Sequence, residues 1–564
     1  MKSNYQAQWE VSPPAPAEYL DTANLPPVIA QLLYNRGVKP DQIKAFLAAD
    51  RRLQGNPFLL PDLSPAVNRI YQALRSREKI AIYGDLDVDG VTGTAVLVEA
   101  LSQLGGEITT YIPNRLSEGH GLKSPAIEKL HHEGVGLIIT VDCGISDLAE
   151  AKQAQQMGLD MIITDHHIPL ATLPQVTAVI DAKRKDSWYP FSELAGVGVA
   201  FKLAQALFYK NQREDWLTGL LDLVALGTVT DMVSLTGENR YLVAEGLKVL
   251  NNTQRIGLQE MIKLAGLKLG ELDAKHVSWT LGPRLNSAGR LDSANTSYRL
   301  LSTRSAEEAY ALAKELEESN AERQRVTAEA LGKVQERLAS RLHLPLLIEG
   351  DESYPVGVIG LVAGRLKDEF YNPAIIINLG PEVCRGGSRS IPEFNIAEAL
   401  AKCQDLLITF GGHHMAAGFT VERQNLARLE ERLMSLAESQ LSHLDLHPKL
   451  VIDAEVPLSA FTGDTFNLLQ QLEPFGQGNP YPTFLSRQVE VIERRNFGNH
   501  DKWLKLKLKQ GDISWEGIDF DSQRAQDEIP PYIDIVYKLE KGFWNGEEVL
   551  QLILRDFAPS DQPR

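Results

Sequence analysis

The sequence predicts an α/β protein: two α/β domains joined by a long helix, then a smaller all-β domain. Three observations predict it. From Lys79 to about Val233, short β-branched apolar runs alternate with helical stretches, the pattern of a mostly parallel sheet. Residues 304–343 are rich in Ala, Glu, Leu and Arg, with Gly332 the one helix-weakening residue. From about residue 445 onward, short alternating strands recur at regular spacing, including RQVEVIERR, WLKLKLKQG and EEVLQLILRDF.

Taken in order, residues 1–55 read as an extended Pro-rich start followed by short helices, and 56–303 as the first α/β domain. The helix of 304–343 is a spacer, 344–440 a second α/β domain and 441–564 the β domain. At 564 residues the chain has room for several cores. No apolar run reaches the roughly 20 residues needed to cross a bilayer, and no basic-then-apolar leader opens the chain, so no membrane association is expected. Three cysteines without a CxxC pair exclude a disulfide framework and a cysteine zinc site, which fits a reducing cytoplasm. The net charge of −17 weighs weakly against nucleic acid, although bound divalent cations would offset clustered carboxylates.

The chemistry lies at the strand ends. YGDLDVDGVTG places Asp85, Asp87 and Asp89 at alternate positions before Gly90. An EF-hand also begins D-x-D-x-D-G, but its twelfth position, a bidentate Glu, is Val96 here, and a strand rather than a helix precedes the loop. GLIITVDCG ends at Asp142, LDMIITDHH at Asp165-His166-His167, and the apolar run LVALGTVTDMV, read as a further strand, at Asp231. Parallel strands gather such ends on one edge, where ligands bind. Taken alone, Asp142 or Asp231 would read as a helix N-cap; as a set, the carboxylates would repel one another unless a cation were present. Carboxylate with imidazole and no thiolate suits Mn²⁺ or Mg²⁺, and the supply suffices for two ions.

These motifs resemble those of the DHH phosphoesterases. GGHHMAAGF (411–419) looks like the glycine-rich motif of their DHHA1 second domain. GPRLNSAGR (282–290), GGSRSIPEFNI (386–396) and LEPFGQGNPYPTF (472–484) are similar to the RecJ branch, single-strand-specific 5′→3′ DNA exonucleases of repair and recombination. The resemblance implies a two-metal centre ligated by Asp87, Asp89, Asp142, His166 and Asp231, with Asp142 as bridge. Asp85 would stand beside it as ligand or outer partner, Asp165 would orient the histidines, and His167 would contact the scissile phosphate. Tyr83 stands where related pyrophosphatases carry a metal-binding His, which Asp85 would compensate.

Arg115, Arg284, Asn286 and Arg290 are expected to hold the DNA backbone, and His413 to cap the cleft. In GGSRS the glycines would admit an anion to the backbone, with Ser388, Arg389 and Ser390 as donors to a terminal 5′-phosphate. Trp503, Lys505 and Lys507 share one face of a strand, as in a single-strand-binding OB-fold; a solvated amphipathic strand has the same pattern. Single-stranded DNA is the expected partner. The family further implies a single-strand-binding protein and a helicase, and a monomer is expected. The alternatives are a DHH phosphodiesterase of short oligonucleotides or cyclic dinucleotides, and a non-catalytic replication scaffold.

Overall fold

β-branched runs without charge form the middle of the first sheet. β1 (Lys79–Gly84), β2 (Glu107–Tyr111), β3 (Val135–Val141), β4 (Asp160–Thr164) and β5 (Ala178–Ile180) lie in the order β2-β1-β3-β4-β5, all parallel. In this computed structural model the described residues are 7–115, 117–209, 214–291, 293–461, 464–498, 503–520, 528–544 and 547–560. Successive connections leave β1 toward opposite sides, so the strand order reverses between β1 and β3, and an open crevice forms at that switch. Ile138, Ile163 and Met161 are fully covered by the helices on one face.

The apolar run ending at Asp231 is not a strand. Leu221–Thr230 is a helix, buried on every side. A short run apolar all round carries no period that separates a buried helix from a buried strand. The helix delivers Asp231 to the same edge from its C-terminal end.

The long helix runs Ala306–Leu338, about 50 Å at about 1.5 Å per residue. Beyond it, strands Leu347–Asp351, Ala374–Asn378, Val383–Arg389, Leu407–His413 and Ala416–Glu422 form a second five-stranded sheet. These elements and the first sheet belong to one compact unit, Gly55–Asp231 with Gly246–Pro448.

The second unit comprises Ala7–Gln54, Met232–Glu245 and Lys449–Arg564. Strands Phe484–Phe497, Trp503–Gln510, Ile513–Asp519, Tyr532–Trp544 and Glu547–Pro559 close on themselves into a barrel, because the first also pairs with the fourth. Leu504, Leu506 and Leu508 point into its core, as the period-two pattern requires. The N-terminal segment joins this unit: Gln8–Val11 pairs in parallel with Lys449–Ile452, and Arg36 donates to Asp453 and to the Pro480 carbonyl. No helix among the described residues is long and apolar enough to cross a membrane.

Candidate metal centre and phosphate pocket

Each acidic residue stands one position beyond its strand and extends the ladder. The Asp85 N–H donates to the Val141 carbonyl, Asp142 to Thr164 and Asp165 to Ile180, at 3.0, 3.0 and 3.1 Å. Three carboxylates from three strands are thereby set side by side. Gly90 is required at the turn, since a Cβ there would lie 2.5 Å from the Asp85 carbonyl oxygen. Asp87 caps helix Val88–Gln103, accepting from Asp89 and Gly90 N–H. Asp89 is gripped at both oxygens by the N–H groups of Gly196 and Val197, at 2.6 and 2.8 Å, where helix Gly196–Phe208 begins.

The side chains form adjoining groups of potential ligand atoms within 4.8 Å of one another: Asp85, Asp87 and Asp142; Asp142, His166 and His167; Asp89, His166 and Asp231. Asp142 links the first two, with its backbone at φ 63°, a left-handed conformation that an Asx residue tolerates. His166 Nε2 lies 3.1 Å from Asp142, 3.8 Å from Asp89 and 3.7 Å from Asp231. Burial, then the neighbouring carboxylates, raises Asp89 and Asp142 well above the usual carboxylate range. Burial also lowers His166, favouring the neutral imidazole that a metal requires.

The donor set fits a divalent cation. Asp85 Oδ1, Asp142 Oδ1, Asp231 Oδ2 and both His166 ring nitrogens are buried without a hydrogen bond. Such orphaned atoms are costly unless an ion takes them up. Oxygen-rich donors with one neutral imidazole suit Mn²⁺ or Mg²⁺.

Asp165 lies behind the histidines. Its Oδ1 accepts from the backbone N–H of His166 and His167 and from the His167 ring at 2.7 Å; its Oδ2 accepts from Ile145. That hydrogen bond raises His167 to about 9 against the opposing effect of burial. His120, in the same loop as Arg115 and not among the expected site residues, bridges the site. Its Nδ1 donates to Asp85 at 2.9 Å while its Nε2 accepts from Arg115 at 2.8 Å. Tyr83 is fully buried and spends its hydroxyl on the Gly121 carbonyl, so the imidazole near Asp85 comes from the loop.

Beside the acidic edge the charge changes sign. Among the described residues Arg115, Arg290, Arg323 and Arg389 hydrogen-bond to no carboxylate; their partners are the Gly289 carbonyl and His120, the Gly357 carbonyl, the Asn320 side chain and the Ser388 carbonyl. Burial, then Arg115, Arg323 and Arg389, pushes Arg290 down to about 10. Half-buried cations with no ion pair among the described residues are suited to an anion from outside. Arg323, on the long helix, was not singled out in the sequence. His413 faces the same cluster, lowered by burial and then by Arg389.

Several expected contacts are corrected. Arg284 turns onto Glu317 of the long helix in a two-pronged ion pair. Ser388 and Ser390 are fully buried and give their hydroxyls to the Ala417 and Phe394 carbonyls. Gly386 and Gly387 lie in a strand, not a turn: a Cβ would strike the Phe419 ring at 2.1 Å or Ile359 at 2.9 Å. Asn286 Oδ1 accepts from Val88 N–H, which ties helix Gly282–Leu291 to the acidic loop. In the barrel, Lys505 is committed to Glu516 at 2.9 Å, whereas Lys507 is exposed and Trp503 packs against Phe497 and Phe520 at an open corner.

Family models match in the same order as these bodies: the DHH family N-terminal domain over residues 79–228, the DHHA1 domain over 339–439 and the RecJ OB domain over 452–556. The chain is 36% identical to the single-stranded-DNA-specific exonuclease RecJ of Bacillus subtilis, over 98% of this chain and 71% of that protein. The Escherichia coli RecJ is 33% identical, over 95% of this chain and 96% of that protein. This chain belongs to the RecJ family. Solved RecJ structures from Thermus thermophilus agree. The Mn²⁺ complex superposes with a TM-score of 0.84 at 29% identity, covering 98% of this chain and 80% of that one, and the Mg²⁺ complex with 0.77 at 27% identity, covering 98% and 79%. The Mn²⁺ and Mg²⁺ complexes within the RecJ family accord with the donor set described above.

Proposed function

We infer that this chain is a metal-dependent, single-stranded-DNA-specific exonuclease that degrades its substrate from the 5′ end to 5′-mononucleotides. The observation that carries the reading is the pairing of two oppositely charged groups side by side: the carboxylate–imidazole cluster and the half-buried arginines with no ion pair among the described residues. In this reading Asp87, Asp89, Asp142, His166 and Asp231 hold the ions, with Asp85 beside them. Bound Mn²⁺ or Mg²⁺ supplies a water of lowered pKa and polarises the phosphate.

The chain's own residues do the rest. Arg115, Arg290, Arg323 and Arg389, with His413 nearby, hold the terminal 5′-phosphate, so the next phosphodiester lies over the acidic edge. Water attacks that second phosphorus and the bond to the first nucleotide's 3′-oxygen breaks. His167, held above the usual imidazole range by its hydrogen bond to Asp165, donates a hydrogen bond to the phosphate or a proton to the departing 3′-oxygen. The shortened strand again begins with a 5′-phosphate, so each turnover regenerates the group that the arginines bind. Trp503 and Lys507 support a strand on the barrel by stacking and charge. Cytoplasmic, monomeric action beside a single-strand-binding protein and a helicase belongs to the same reading.

The test is digestion of 5′-labelled and 3′-labelled single strands and of a blunt duplex. Immediate release of labelled mononucleotide from the 5′-labelled single strand alone is expected. Release first from the 3′ label, or equal cutting of the duplex, would overturn the assignment.

A further inference from the structure

Asp85 divides its two oxygens. Oδ1 is buried without a hydrogen bond, and the carboxylate shares a ligand group with Asp87 and Asp142. Oδ2 instead accepts from His120 Nδ1 at 2.9 Å. On its far side the same ring meets Arg115, whose Nη1 lies 2.8 Å from Nε2. A guanidinium can only donate, so Nε2 is the acceptor and the ring's proton sits on Nδ1. The imidazole is thus the neutral middle of a chain of three: carboxylate, ring, guanidinium.

The loop that presents the ring is fixed without it. Gly119 and Gly121 flank His120 at φ 77° and 78°, left-handed positions that glycine adopts freely. The Gly121 carbonyl accepts from the Tyr83 hydroxyl at 3.1 Å, Leu122 N–H donates to Asp147 at 2.8 Å, and Asn114 N–H donates to Glu118 at 2.8 Å. The His120 side chain is 55% exposed, so it adds little to any core; what it contributes is its two polar contacts. Asp85 and Asp87 are also the acids that act on Arg115 through space. With nothing between them, a flexible guanidinium and a carboxylate this near close into a direct ion pair. That pair would take the acid from the metal and the arginine from the phosphate.

We propose that His120 is a positioning residue, a neutral spacer that keeps Arg115 from pairing with Asp85 and so holds the carboxylate for a divalent cation and the guanidinium for the strand's 5′-phosphate. The inference rests on the nuclease reading above, but its metal half is measured without DNA.

The experiment uses wild type, His120→Ala, His120→Gln and the double variant His120→Ala with Arg115→Gln. It measures Mn²⁺ affinity by calorimetry, metal-free thermal melting, and kcat/KM on 5′-phosphorylated against 5′-hydroxyl single strands. His120→Ala should weaken Mn²⁺ binding on the order of 10- to 100-fold, the usual cost of losing an outer partner of a metal site. It should also lower the preference for a 5′-phosphate by about tenfold. His120→Gln keeps one donor and one acceptor and should recover most of both. The double variant should regain most of the Mn²⁺ affinity, since no guanidinium is left to capture Asp85, but not the phosphate preference. A double variant that binds Mn²⁺ as weakly as His120→Ala would overturn the proposal, because the ring would then only orient Asp85. So would wild-type affinity in His120→Ala, or early melting of that variant without metal, since His120 would then hold the loop itself. A wild type that binds Mn²⁺ but cuts no single-stranded DNA would bring down the nuclease reading, and the Mn²⁺ comparison would still decide what His120 does.

Discussion

Asp165 Oδ1 and His167 Nδ1 lie 2.7 Å apart, and the carboxylate that makes this bond is 1% exposed. The ring's orientation is therefore set from the protein side, leaving its other nitrogen for substrate. Asp165→Asn keeps the size but removes the charge that sustains the protonated ring. We predict a loss of roughly 10²–10⁴-fold in kcat, the usual range for general acid–base groups, together with a lower melting temperature, because one of the two oxygens that accept backbone N–H groups becomes an amide NH₂ facing its donor. Single-turnover rates alongside thermal melts check it.

Asp142 adopts a left-handed backbone, so Asn is the substitution that isolates its charge, whereas Ala adds backbone strain. Without metal, the clustered carboxylates repel one another; Asp142→Asn should therefore stabilise the metal-free protein. It should also abolish most of the rise in melting temperature that Mn²⁺ gives the wild type, about 2.7 kcal/mol at a hundred times Kd. Differential scanning calorimetry with and without Mn²⁺ measures both signs.

Gly196 meets Asp142 so closely that a Cβ would lie 2.6 Å from the aspartate's own Cβ. Gly196→Ala is predicted to weaken Mn²⁺ binding by at least tenfold, about 1.4 kcal/mol, by pushing Asp142 out of line. A titration that gives wild-type affinity would show that the loop yields.

Burial raises Asp181 to about 7. A carboxyl whose folded pKa lies above its unfolded value stabilises the fold fully below the unfolded value and loses that contribution as pH rises through the folded one. Asp181→Asn, which keeps the oxygen that accepts from Lys183, should match wild type near pH 4. It should exceed it by on the order of 2–4 kcal/mol at pH 8. Urea melts across that range decide the sign.

Arg323 distinguishes the arginine pocket from general charge. Arg323→Gln should slow cleavage of 5′-phosphorylated single strands by about tenfold or more while leaving 5′-hydroxyl strands little changed, since a hydrogen bond to a charged group contributes about 1.5–3 kcal/mol. Equal slowing of both would place Arg323 elsewhere on the strand's path.

The strand-end acids could be read from the sequence because each apolar run stops at a carboxylate, and a parallel sheet turns those stops into neighbours. Asp231 was reached by the wrong element, since LVALGTVT is apolar on all sides and has no period to betray a helix. The run AVID reads as a strand, yet its three apolar residues are too few to mark Asp181 as one of the strand-end acids. Arg323 lies among many charged residues of a long helix, and its half-buried position without an ion pair among the described residues sets it apart. The serines of GGSRS are polar in composition but commit their hydroxyls to local carbonyls, a choice invisible without the fold. The pairing of Gln8–Val11 with Lys449–Ile452 joins segments from opposite ends of the chain, for which no local pattern exists.

The most direct test of the metal-centre account pairs Mn²⁺ titration with mononucleotide release in the same samples of wild type and Asp142→Asn. We predict that release from single-stranded DNA rises with Mn²⁺ occupancy in the wild type, falls to background with EDTA, and is lost together with Mn²⁺ affinity in Asp142→Asn. Cleavage that persists in EDTA, or an Asp142→Asn protein that cuts at the wild-type rate, would contradict it.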